Sequence, residues 1–121
     1  MTPQSPEHLG YDDAPPGSLE AFYAAIHDVV ASIPPGRVMA YGAVAAAIGS
    51  RAARAVGRYM AQSGGSLPWW RVVYADGHLL PGYEAVALDH YRTEGTPLIH
   101  TSSGWRIDMR RASWSPLLEA L

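Results

Sequence analysis

Residues 41–62, YGAVAAAIGSRAARAVGRYMAQ, decide the fold. The Ala-rich run from Tyr41 to Ile48 reads as a short helix whose small side chains let another helix approach closely. Gly49 ends it in the left-handed conformation that helix C-termini favour. Ser50 follows at once as an N-cap for a further helix over about Arg51 to Gln62. Two helices joined by so short a glycine-containing turn predict a helix-turn-helix. On the later helix Arg51, Arg54 and Arg58 fall at i, i+3 and i+7 and share one face. Ala53, Val56 and Met60 can pack inward, so a basic recognition face rides on a buried back.

Upstream, Ser18 is an N-cap, and Leu19, Phe22, Tyr23, Ile26, Val29, Val30 and Ile33 follow at the helical period. An amphipathic helix over 19–32 is expected, stopped by Pro34-Pro35-Gly36. Residues 1–17, rich in Pro, Gly and acids, read as a flexible acidic lead-in, and residues 18–121 as one domain. Downstream, Ser63-Gly64-Gly65-Ser66 is a short connector. Trp70–Tyr74 and His78–Leu80 flank Ala75-Asp76-Gly77, which predicts a hairpin. A helix over 83–94 ends at Gly95. Leu98–Thr101 and Trp105–Asp108 around Ser102-Ser103-Gly104 predict a second hairpin, after which Trp114 and Pro116 fold back onto the body. The class is mostly α with small β hairpins, a winged helix-turn-helix-like architecture.

The net charge of −2 argues against an anionic partner, but its distribution argues for one. Residues 1–36 hold five acids (Glu7, Asp12, Asp13, Glu20, Asp28) and no base, whereas residues 37–71 hold five bases (Arg37, Arg51, Arg54, Arg58, Arg71) and no acid. One sign sustained over a helix-turn-helix, with aromatics interleaved, points to nucleic acid. No stretch has a signal peptide's pattern or the length to span a bilayer. A soluble, cytoplasmic protein is expected, nucleoid-associated when on DNA, with no membrane partner.

The catalytic inventory is thin. There is no cysteine, so disulfides, thiolate metal sites and a cysteine nucleophile are excluded. The five His residues show no metal-ligand spacing, no Ser sits in a nucleophile elbow, and no Gly-rich loop cradles phosphate. Neither a cofactor nor a metal site is expected, and no residue is nominated as catalytic.

Three blocks in order carry a resemblance. Ile33-Pro34-Pro35-Gly36-Arg37-Val38-Met39-Ala40-Tyr41-Gly42 resembles the approach to the DNA-binding helices of the O6-alkylguanine-DNA alkyltransferases. Arg51-Ala52-Ala53-Arg54-Ala55-Val56-Gly57 resembles their recognition helix, and Pro68-Trp69-Trp70-Arg71-Val72-Val73 their active-site Pro-Cys-His-Arg-Val. Trp69 stands where the alkyl-accepting cysteine belongs, the mark of the alkyltransferase-like proteins, and Trp70 stands for the His. Glu94-Gly95 resembles the Glu-Gly that supplies the orienting acid, which here has nothing left to orient. Thiolate activation needs a thiol and a proton acceptor beside it, so alkyl transfer to this position is excluded chemically.

The resemblance implies a sensor that binds double-stranded DNA carrying O6-alkylguanine. It docks the helix-turn-helix in the minor groove, flips the lesion into a pocket and flags it to nucleotide excision repair proteins without chemistry. By the same resemblance Arg54 is the finger filling the vacated stack and Tyr41 presses the neighbouring phosphate, while Arg51 and Arg58 contact phosphates. Trp69, Pro68 and Val72 line the lesion pocket, and Leu80, Pro81, Gly82 and Tyr83 close its far side. Blander roles exist: Arg54 as one phosphate contact among several, Tyr41 and Trp69 as core aromatics. In a strand Trp69 and Trp70 would face opposite ways, leaving Trp70 to packing, Arg71 to bonding loop carbonyls, and Glu94 to a buried structural role. The competitors are a dimeric helix-turn-helix regulator, disfavoured because no dimer segment is evident and a monomer is expected, and a base-flipping glycosylase, disfavoured because no general acid is placed.

Overall fold

The computed structural model describes residues 18–116, so the acidic lead-in lies outside the described residues. Helix α1, Leu19–Ser32, begins where expected: the Ser18 hydroxyl accepts the Ala21 N–H at 3.0 Å. It buries Phe22, Ile26 and Val30, while Leu19 is left exposed. After Pro34-Pro35-Gly36 the chain enters strand β1, Met39–Ala40, and then helix α2, Tyr41–Ala47.

The helix-turn-helix forms, with one shift. The Ser50 N–H bonds the Ala45 carbonyl at 2.9 Å, and its buried hydroxyl accepts the Ala52 N–H at 3.0 Å. That side-chain bond holds residues 50–52 as a turn, so helix α3 runs Ala53–Ser63 and starts later than Arg51. Arg51 therefore precedes the helix and does not share a helical face with Arg54 and Arg58, which stand one turn apart on α3. The buried side of α3 is Ala55, Val56 and Met60; Ala53, expected in the core, is only half-buried.

The first expected hairpin does not form. Trp69–Arg71 is a turn of 3₁₀ helix, and strand β2, Val72–Val73, pairs in parallel with β1, Met39 against Val72 and Ala40 against Val73. Asp76-Gly77 does make the tight turn, with the Gly77 N–H on the Tyr74 carbonyl at 2.9 Å. Its far side, though, bridges His78 to Arg106. Gly77 (φ +84°) lies hard against the Ile107 carbonyl, and its own carbonyl accepts the Ile107 N–H at 2.8 Å. A small residue at a close crossing, rather than hairpin pairing, is what this glycine serves.

Helix α4, Glu84–Glu94, ends at Gly95 with φ +74°. Strands β3, Leu98–Thr101, and β4, Gly104–Ile107, form the expected antiparallel wing. A short helix α5, Met109–Ala112, leads to Trp114, which is buried and bonds the Val38 carbonyl through its backbone N–H at 2.9 Å. Pro116 is half-buried. Among the described residues no helix is long and apolar enough to cross a membrane.

The interior has two clusters. One joins α1, α2 and α3 through residues such as Ile26, Val30, Val44 and Val56; the other joins α4, the wing and β2 through Val73, Ala87, Tyr91 and Ile107. Trp69 packs against both. It therefore sits at the seam where the helix-turn-helix meets the rest of the molecule.

Candidate nucleic-acid interface

At that seam opens a cleft of about 820 Å³, within the range of small-molecule sites. From α3 it is lined by Ala53, Arg54, Gly57, Met60 and Ala61; facing them are Trp69, Leu80, Tyr83 and Val86; Tyr41, Tyr74 and Gly65 complete it. Ala53, Gly57 and Ala61 recur every fourth residue, so they form one small-residue stripe on the helix beside Arg54. That spacing was visible in the sequence and was missed, as were Met60, Tyr74 and Val86. Arg54 is exposed at the cleft, and among the described residues its guanidinium has no hydrogen-bond or ion-pair partner.

Of the residues expected at the lesion pocket, the structure brings Trp69, Leu80 and Tyr83 together. Pro68, half-buried, precedes the 3₁₀ turn that presents Trp69. Val72 is buried in the core beneath. Gly82 (φ +88°) is a turn residue that donates its N–H to the Glu84 carboxylate at 2.9 Å. Pro81 lines a different depression, of about 560 Å³, between α4 and the wing.

The two tryptophans lie on a 3₁₀ turn and not a strand, so they do not point to opposite faces. Their rings meet edge-on at 5.7 Å. Trp69 also meets Tyr83 (5.9 Å) and His90 (6.0 Å) edge-on. Trp70 stacks flat on His90, 3.6 Å between centroids and 4° between planes. Its backbone carbonyl accepts the Tyr91 hydroxyl at 2.6 Å.

Beneath this aromatic group Glu94 is a hub, its side chain only 11% exposed. It accepts the Trp70 indole N–H at 2.9 Å, the Arg71 Nε–H and Nη2–H at 3.1 and 2.6 Å, and the Gly36 N–H at 3.0 Å. Desolvation pushes this carboxyl up. The Arg71 bonds, the Gly36 and Trp70 donors and the Arg71 charge outweigh it, holding the carboxyl below its ordinary value. The structural role expected of Glu94 is thus observed, with the carboxylate part-buried rather than fully buried, but the expectation that it orients nothing is corrected: it holds the Trp70 indole. Arg71 bonds one loop carbonyl, that of Ile33 at 3.0 Å, and otherwise serves Glu94. Arg37 is tied through Nε to the Ala112 carbonyl at 3.0 Å and through Nη2 to Ser113. Two of the five bases in the basic stretch are therefore internal struts, leaving Arg51, Arg54 and Arg58 on the helix-turn-helix.

Tyr41, at the start of α2, is half-buried with its ring 5.7 Å from Tyr74. Burial, and then Tyr74, push its phenol pKa up, so it stays a neutral donor, able to bond a phosphate oxygen without repelling it. Among the described residues no three His, Asp or Glu side chains gather as a metal site, and no carboxylate lines the cleft.

The model of the 6-O-methylguanine DNA methyltransferase DNA-binding domain matches residues 21–94, more than half of the chain. The chain belongs to this family. Within it, Trp69 in place of the alkyl-accepting cysteine makes it alkyltransferase-like. Alkyltransferase-like protein 1 of Schizosaccharomyces pombe is 29% identical over 106 residues, covering 81% of this chain and 98% of that protein. The S. pombe protein solved with damaged DNA containing O6-carboxymethylguanine superposes with a TM-score of 0.73 at 29% identity, over 83% of this chain and all of that one. The S. pombe protein solved in complex with DNA gives 0.72 at 28% identity, over the same shares. The alkyltransferase-like architecture, mostly helical with small sheets, is thus common to all three.

Proposed function

We propose that this protein is a non-enzymatic sensor of alkylated DNA. It binds duplex DNA carrying O6-alkylguanine through α2 and α3, extrudes the modified base into the cleft, and flags it for nucleotide excision repair. The observation that carries this is Trp69: an indole lines the cleft beside the Arg54-bearing helix in a chain that contains no cysteine. An indole offers a wide apolar face to a base and its alkyl group and cannot accept the alkyl group as a thiolate does. The S. pombe relative solved on damaged DNA is the comparison that supports a DNA lesion as the ligand.

Extruding a base costs a few kcal/mol, less when alkylation has already weakened its pairing. In this reading Arg54 enters the vacated stack and recovers part of that cost through its planar guanidinium; its place among the cleft-lining residues supports the role. Arg51 and Arg58 add phosphate contacts, which give salt-sensitive affinity without sequence preference. With no bond formed, the complex is reversible and leaves the lesion for other machinery.

The test is fluorescence anisotropy at fixed, near-physiological salt on two duplexes identical but for one O6-methylguanine. The expected outcome is a clear preference for the methylated duplex, with the guanine recovered unchanged. Equal, weak binding to both overturns the sensor and favours a helix-turn-helix regulator; release of free base favours a glycosylase.

A further inference from the structure

We infer that the cleft selects neutral, apolar O6 substituents and rejects those that end in a carboxylate. This rests on the sensor reading and deepens it by naming the class of lesion.

The wall facing α3 is made of Trp69, Leu80, Tyr83 and Val86. Arg54 is the one cation among the residues lining the cleft, and in the sensor reading its guanidinium is engaged in the base stack. Two amides of the loop that closes the far side are already occupied. The Gly82 N–H is bonded to the Glu84 carboxylate at 2.9 Å and the Tyr83 N–H to the Leu80 carbonyl at 3.0 Å. An adduct carboxylate in the cleft therefore meets no lining cation that is not already engaged, and only neutral phenol and indole donors. Burying a charge without a counter-charge is strongly unfavourable. An aryl or alkyl adduct on the same wall loses only water, and an aryl ring gains edge-on contact with Trp69 and Tyr83.

The experiment measures anisotropy with the full chain on four duplexes that differ at one guanine: unmodified, O6-methyl, O6-benzyl and O6-carboxymethyl. Each lesion affinity is divided by that for unmodified duplex, which removes general DNA attraction. The benzyl ratio is expected to equal or exceed the methyl ratio, and the carboxymethyl ratio to fall about tenfold or more below benzyl. Val86 lines the cleft and is 51% exposed on α4, so Val86→Arg adds a cation there with little disturbance of the fold, which circular dichroism checks. It is expected to raise the carboxymethyl ratio relative to benzyl.

Carboxymethyl bound as tightly as benzyl in the parent protein, while both exceed unmodified duplex, overturns the selection but leaves the sensor standing. Failure of Val86→Arg to change the ratio overturns the charge argument. No preference for any lesion removes the sensor reading and this inference together.

Discussion

Glu94 accepts the indole N–H of Trp70 at 2.9 Å. The family resemblance assigns position 70 to an imidazole that takes a proton from the reactive thiol. Here the carboxylate holds a group that donates through nitrogen and cannot accept. Where the resemblance has this acid tuning a base, here it braces an aromatic wall, with Arg71 and Gly36 as its other partners.

Restoring a thiol at position 69 is therefore not expected to restore chemistry. Trp69→Cys, incubated with O6-methylguanine duplex and examined by mass spectrometry, should show no alkylated protein, because the side chain at position 70 supplies no base. Alkylation at a useful rate would mean that another group accepts the proton. The variant should also lose about 3 kcal/mol of stability, since a large ring shared by two clusters is replaced by a small side chain.

Glu94→Gln should cost about 2 kcal/mol in urea unfolding at neutral pH, less than for a fully buried pair, as removing one partner of a part-buried ion pair leaves the other partly uncompensated. The pH dependence follows from the direction of the shift. The folded-state carboxyl lies below its ordinary value of 4.5, so its contribution is full above that value and is lost as pH falls through the lower, folded one. The stability gap between parent and variant should narrow on acidification below about pH 4.5. A gap independent of pH there contradicts the assigned shift.

Arg54→Ala should weaken binding to lesion duplex by about tenfold or more, and Arg51→Ala only several-fold. Arg51 stands in the turn before α3, whereas Arg54 is on the cleft rim. Salt titrations should show the Arg51 loss shrinking as ionic strength rises, the signature of a phosphate contact. Equal losses at all salts remove the finger role.

A Cβ at Gly77 meets the Ile107 carbonyl oxygen at 2.4 Å, and φ there is +84°. Gly77→Ala should cost about 2 kcal/mol or more in urea unfolding. Gly49→Ala is the control: φ is +77° with nothing within 4 Å of the added Cβ, so only the left-handed preference is lost, about 1 kcal/mol. Similar values for both deny the close crossing at Gly77.

The parts of the fold legible in the sequence are those set by neighbours along the chain. Ser18 capping α1, Gly49 closing α2, Gly95 closing α4 and the wing around Ser102–Gly104 all follow from local backbone chemistry. What misled was non-local pairing. Val72 and Val73 have the composition of a hairpin strand, but their partners are Met39 and Ala40, more than thirty residues earlier, and no local signal names them. At the cleft, Trp69, Leu80 and Tyr83 came from the resemblance, while the Ala53-Gly57-Ala61 stripe needed only helical spacing. Pro81 and Gly82 miss the cleft because the turn at Gly82, fastened to Glu84, directs Pro81 toward the wing.

Trp69 touches both interior clusters, and this makes the position hard to convert by a single substitution. A small nucleophile there removes a ring that both clusters pack against before any activity is gained, and Trp70 bars the base as well. Reactivity at this site is thus guarded by two obstacles that must be crossed together, one of packing at position 69 and one of chemistry at position 70.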